Sequence, residues 1–140
     1  MASIRKEIVL DVAPETVWSA IRDVGSVHRR LARSFVTDCR TEGDGKIRVV
    51  TFANGLVARE LIVDIDDGAR RLVWAVVGGR PTHHNASLQV FVEGSIGSRI
   101  VWIADLLPNE LTQSIDGMME QGMGAMKQTL ELRGEAGAPA

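Results

Sequence analysis

Few residues in this 140-residue chain have the type and setting for chemistry. Glu60 stands between Arg59 and Leu61 in a run otherwise rich in aliphatic side chains. Pointed into an interior, such a carboxylate could anchor a ligand, act as a general acid or base, or form half of a structural ion pair. Arg33 is a candidate partner for it, or a clamp for a ligand carboxylate. Asp105 is similarly placed but near a strand end, where a solvated carboxylate is the plainer account. His83 and His84 are neighbours on a strand, point to opposite faces and cannot easily ligate one metal together. Either could donate a proton at a cavity mouth or be an ordinary surface histidine, and His84 joins Glu60 and Asp105 as a catalytic candidate. Cys39 stands alone, forms no intrachain disulfide, and reads as a small hydrophobe in a strand.

Short catalytic motifs are absent. No nucleophile elbow, phosphate loop or dinucleotide fingerprint occurs, and the pair Gly122-x-Gly124 lacks a third glycine and sits inside a helical pattern. No metal site and no cofactor is expected. The net charge of −2 gives no electrostatic case for nucleic acid or an anionic membrane. Arg29, Arg30 and Arg33 form a local basic run that suits a solvated face. With 45% hydrophobic residues and no apolar run of membrane-spanning length, the chain reads as one globular domain over residues 1–133, not inserted in a membrane. The first residues lead straight into an alternating pattern without an apolar signal core, so the expected location is the cytoplasm. Residues 134–140, rich in Gly and Ala, read as a disordered tail.

The elements that must position these residues are well marked. Residues 108–133 read as one long helix with Pro108 at its first position. Leu111, Ile115, Met118, Met119, Gly122, Met123, Met126 and Leu130 fall on one broad face, with Gln113, Asp116, Glu120, Lys127 and Glu131 opposite. The methionine stripe suits either ordinary core or a deformable cavity wall. Gly117, Gly122 and Gly124 each cost about 1 kcal/mol relative to Ala in a helix. Close approach of Gly122 to a sheet would offset its cost, whereas Gly117 and Gly124 have no such reason.

Upstream, Ile4, Lys6, Ile8 and Leu10 alternate as the inner side of a first strand. A helix starts at Pro14, carries Val17, Ala20, Ile21 and Val24 on one side with Trp18 beside them, and is expected to stop at a left-handed Gly25. Residues 26–32 suggest a second short helix. Six further strands follow, separated by turn signals at Glu42-Gly43-Asp44-Gly45, Asn54-Gly55, Asp67-Gly68, residues 78–82 and residues 94–97, the pattern of an antiparallel meander.

This order resembles the helix-grip fold of the START and Bet v 1 type, specifically the bacterial polyketide cyclase/dehydrase and lipid-transport branch. The residues that carry the resemblance are Ala13-Pro14-Glu15-Thr16-Val17-Trp18, the hairpin from Asp64 to Trp74, and Val101 to Pro108 leading into the last helix. The resemblance implies an α+β fold: a seven-stranded antiparallel sheet wrapped around a long C-terminal helix, with two short helices after strand 1. The run from Glu60 to Asn85, with Gly78-Gly79, is also similar to the hairpins of plant abscisic-acid receptors, which places Asn54-Gly55 at their gate and the Gly78-Gly79 loop at their latch. The receptors' Ser-Gly-Leu-Pro gate is replaced here by Phe52-Ala53-Asn54-Gly55-Leu56, so hormone signalling does not carry over. The Trp-Pro pair that many relatives have after the first helix is replaced by Val27-His28-Arg29-Arg30-Leu31.

The resemblance further implies a cavity lined by Ala58, Glu60, Trp74, Val76, Asn85, Ser87, Gln89, Val101, Ile103 and Asp105, with Arg33 near it and Met119, Met123 and Met126 from the helix. Plain alternation disagrees in one strand. It turns Ala86, Leu88, Val90 and Val92 inward, whereas the family reading turns them outward, where they would need cover from a second copy in a homodimer or from a second packed surface. Three functions follow from different classes. The first is binding of a small hydrophobic molecule of lipid, polyketide or aromatic type. The second is a cyclase or dehydratase using Glu60 or Asp105, with a histidine, to move a proton. The third is a protein-interaction module built on apolar outer strands.

Overall fold

In the computed structural model, which describes residues 2–136, seven antiparallel strands form one sheet in the order β1-β7-β6-β5-β4-β3-β2. The strands are β1 (Ala2–Leu10), β2 (Val36–Glu42), β3 (Ile47–Phe52), β4 (Val57–Asp66), β5 (Arg71–Val77), β6 (His83–Glu93) and β7 (Gly97–Leu107). Helix α1 (Pro14–Arg22) and a five-residue π-helical turn (Val27–Leu31) connect β1 to β2, the two edges of the sheet. Helix α2 (Thr112–Ala136) closes the molecule. The architecture is the α+β helix-grip arrangement.

Local chemistry explains the boundaries. Residues Gly43, Asp44 and Gly45 all take positive φ, which makes the β2–β3 turn, and Gly55 does the same between β3 and β4 while Asn54 Oδ1 accepts a hydrogen bond from the Leu56 N–H. Helix α1 ends at Arg22, and Gly25 is not left-handed. Its lack of a side chain serves packing instead: a Cβ there would lie 3.0 Å from Thr41 Cγ2. The last helix does not start at Pro108. Pro108 caps a 3₁₀ turn (Asn109–Leu111), and the α-helix begins at Thr112, whose hydroxyl donates to the Asn109 carbonyl. At its other end α2 continues past residue 133 to Ala136, within the stretch expected to be a tail; residues 137–140 lie outside the described ones.

One face of α2 is buried as the spacing predicts, with Ile115, Met119, Met123, Met126 and Leu130 in the core, continued by Leu111 of the preceding 3₁₀ turn. On its polar side Lys6 of β1 pairs with Asp116 and Glu120, and Lys127 donates to the Val9 carbonyl. Gly122 lies against the sheet: a Cβ on it would be 2.8 Å from Trp102 Cζ3 and 3.1 Å from Phe35 Cε2. Gly117 and Gly124 are exposed with nothing near them. Gly117→Ala and Gly124→Ala should therefore each raise the unfolding free energy by about 0.5–1 kcal/mol, with the two effects adding. Gly122→Ala should lower it, because the indole and phenyl rings must move. Thermal midpoints of the three single variants check this, and a loss of stability in either exposed variant would contradict it.

Strand β6 follows alternation. Ala86, Leu88 and Val90 are buried on the concave side opposite Ala104, Trp102 and Ile100 of β7, and only Val92, at the strand end, is exposed. Asn85, Ser87 and Gln89 are therefore on the convex side, as are their partners Asp105, Ile103 and Val101. The need for a second copy to cover an apolar β6 face disappears with that geometry.

Candidate functional site

Between the concave side of the sheet and α2 lies a cavity of about 290 Å³. Its walls are almost entirely apolar. The end of α1's connection to β2 contributes Val27, Leu31, Ala32 and Phe35, the sheet contributes Val50, Ala58, Trp74, Val76, Leu88 and Trp102, and α2 with its preceding turn contributes Leu111, Ile115, Met118, Met119 and Met126. Phe35 and Phe52 meet edge to face at 5.3 Å between centroids, and Trp74 and Trp102 are tilted at 6.2 Å. The loop Gly78–Pro81 and Leu56, beside the Asn54-Gly55 turn, lie at the same cavity, so both turns singled out in the sequence border it. Gly78 and Gly79 both have positive φ, which only glycine adopts without strain.

Besides Arg80, His84 and Ser114, the polar lining of this cavity is one ion pair. Arg48 Nε donates to Glu60 Oε1 at 2.7 Å, with both side chains more than nine-tenths buried. The β3–β4 hairpin sets this register, since Arg48 lies directly across from Glu60 and two residues from the Val50–Ala58 pair. The Arg48 guanidinium also sits 5.0 Å from the centroid of the Trp74 ring, a cation–π contact. Arg48 Nη1 nevertheless has no hydrogen-bond partner among the described residues, and neither does the buried indole Nε1–H of Trp102.

Of the residues named from the sequence, Ala58, Glu60, Trp74, Val76, His84, Met119 and Met126 line the cavity. Arg33 does not: it is exposed, and its backbone N–H donates to Thr129 Oγ1 of α2. Glu60 is instead paired with Arg48. Asn85, Ser87, Gln89, Val101, Ile103 and Asp105 are on the convex side, because the family reading was one residue out of phase with the pleat in β6 and β7. Asp105 accepts hydrogen bonds there from Ser3 Oγ and Asn85 Nδ2. Met123 is buried in the core beside the cavity rather than in its wall, and Met118 takes that place. Sequence reasoning missed Arg48. An Asn54-Gly55 turn of two residues would pair residues whose numbers sum to 109 and set Arg48 opposite Leu61, whereas the observed loop is centred on Asn54, its pairs sum to 108, and Arg48 faces Glu60.

His84 and His83 point to opposite faces. His83 is exposed and bonded to Asn85 on the convex side, whereas His84 faces the cavity. Burial, reinforced by the neighbouring His83, lowers the pKa of His84 below its usual value, so its imidazole is neutral at pH 7. Cys39 is buried against the Val24 carbonyl, and burial raises its pKa away from thiolate chemistry. Among the described residues no group of three His, Cys, Asp or Glu side chains could hold a metal ion, and no helix is long and apolar enough to cross a membrane.

The family model for polyketide cyclase/dehydrase and lipid transport matches residues 1–131. The chain belongs to that family. Solved structures of similar shape include XoxI from Bacillus cereus, with a TM-score of 0.83 at 20% identity over 93% of this chain and 96% of that one. A START superfamily protein from Mycobacterium smegmatis gives 0.71 at 11% identity over 96% and 97% of the two chains. A norcoclaurine synthase point mutant from Thalictrum gives 0.70 at 17% over 92% and 93%. At these identities the likeness is one of fold. No curated protein matches the sequence.

Proposed function

We propose that this member of the polyketide cyclase/dehydrase and lipid-transport family binds a small hydrophobic molecule between its curved sheet and α2. The observation that carries the proposal is the cavity of about 290 Å³, walled by aliphatic, aromatic and methionine side chains. Its volume lies near the lower end of the roughly 300–1,000 Å³ common for small-molecule sites, which suits a compact bicyclic or short-chain ligand. Methionine supplies part of the wall from α2, and its flexible thioether adapts to ligands of differing outline.

The fluorescent apolar amine N-phenyl-1-naphthylamine tests this reading. It should bind saturably at one site per chain. Ala58→Phe, which places a ring in the cavity, should weaken binding by at least about tenfold, equivalent to roughly 1.4 kcal/mol. Ala75→Phe, on the convex side of the neighbouring strand, should leave it unchanged. Equal binding by all three proteins would put the probe elsewhere and remove the proposal.

Enzymatic proton transfer is a second reading, favoured by the neutral His84 imidazole at the cavity. It assigns the acid–base role to His84 rather than to Glu60, whose carboxylate is held by Arg48, or to Asp105, which is on the other side of the sheet.

A further inference from the structure

Among the described residues, the ionisable side chains in the cavity wall are Arg48, Glu60, Arg80 and His84. Arg48 and Glu60 compensate each other at 2.7 Å, and Arg80, in the β5–β6 loop, is a permanent cation. His84 alone is of the type that changes charge between about pH 5 and 8. It is half-buried, so a molecule in the cavity covers it further. The elements packed against it bring no counter-charge to it. Across from it on β7 lies Leu106, whose neighbour Asp105 is on the convex side and bonded to Ser3 and Asn85. From β5 comes Val76, and from α2 come Ser114 and Met118, while Asp116 and Glu120 of α2 pair with Lys6. Glu110 of the 3₁₀ turn is exposed and outside the wall, and His83 is on the opposite face of β6.

We propose that His84 decides the charge of the ligand that the cavity accepts: neutral apolar molecules while the imidazole is unprotonated, organic anions once it binds a proton. This rests on the ligand-binding reading above and adds the group that sets its selectivity. A neutral ligand strips water from the ring without pairing with it, so it binds the uncharged form and expels the proton to solvent. An anion does the reverse. It pairs with the imidazolium, and without that charge it enters an apolar enclosure whose remaining uncompensated cation in the wall is Arg80. Burial already favours the uncharged ring in the free protein, holding His84 below its ordinary pKa. Affinity for a neutral ligand is therefore complete above the pKa of His84 and is lost as pH falls through it, whereas affinity for an anion is gained over the same range.

Two naphthalenes of similar size, 2-ethylnaphthalene and naphthalene-2-sulfonate, keep their own charge throughout that range. Titrated into the whole chain at about pH 7.5 and at about pH 5, the hydrocarbon should weaken and the sulfonate tighten as pH falls, changing the ratio of their affinities by about tenfold. In His84→Gln the ratio should stay constant, and in His83→Gln it should change as in the native chain. In ¹H spectra of the native protein the His84 ring should titrate at lower pH with the hydrocarbon bound and at higher pH with the sulfonate bound, the reciprocal of the same linkage, which needs no variant. A parallel drift of both affinities, or an undiminished change in His84→Gln, would assign the pH effect to loosening of the fold and overturn the proposal. So would a ratio that is the same at both pH values, or a sulfonate that does not bind at about pH 5. Failure of both ligands to bind at either pH would instead remove the ligand-binding reading on which the proposal rests.

Discussion

Arg48→Met alone should lower the unfolding free energy by about 3–5 kcal/mol, the largest effect expected of any single polar substitution here. The cause is the partner left behind. Glu60 is more than nine-tenths buried, its carboxylate is held by Arg48 Nε, and the walls around it are aliphatic and aromatic. With Met at position 48 that carboxylate must remain uncompensated in a low dielectric or bind a proton, and either is costly. The double variant Arg48→Met/Glu60→Leu should recover most of the loss, because well-packed apolar residues replace a buried pair at little net cost. Urea unfolding followed by tryptophan fluorescence measures all three proteins. If the double variant were as unstable as the single, the loss would come from the packing of Arg48 on Trp74 and not from the orphaned charge.

Leu88→Ala should cost about 2–5 kcal/mol, whereas Gln89→Ala, one residue along the same strand, should stay within about 0.5 kcal/mol. Leu88 is 1% exposed and lies between Leu72 of β5 and Trp102 of β7. Strand β6 is hydrogen-bonded on both sides, so its backbone cannot move inward to close the space left by the truncation. Gln89 makes a single exposed bond, from Nε2 to the Ala69 carbonyl. The same urea experiment distinguishes the pair, and a reversal of the two effects would mean that the pleat of β6 is inverted.

The contrast between Leu88 and Gln89 shows where sequence reading works and where it slips. Alternation along a strand reports the face directly, since a side chain that must leave water leaves the same side at every second residue. In β6 it turns Ala86, Leu88 and Val90 inward, as the structure has them. Positions carried over from remote relatives landed one residue away in β6 and β7, and one residue is enough to exchange the two sides of a sheet. Gly122 shows the opposite case: a glycine inside a helix demanded a close neighbour, and the Trp102 ring is there. Arg33 failed as the partner of Glu60 because nearness in a strand-and-loop reading carries no distance. Arg48 was missed because a two-residue Asn54-Gly55 turn would set it opposite Leu61, and the one-residue difference in the observed register brings it to Glu60.

The sequence by itself determined the order of elements, the antiparallel meander, the buried face of α2 and the presence of Glu60 among aliphatic neighbours in a strand. These are local properties, written in periodicity, turn residues and helix spacing, and they hold whatever the rest of the chain does. Only the tertiary structure decided that the space between sheet and helix stays open, that Glu60 is neutralised by Arg48, and that Arg48 Nη1 and Trp102 Nε1 are buried without partners among the described residues. Those outcomes depend on how the sheet curves around α2 and on contacts between residues far apart in the chain. No local pattern encodes them, because volume and hydrogen-bond satisfaction are properties of the packed whole.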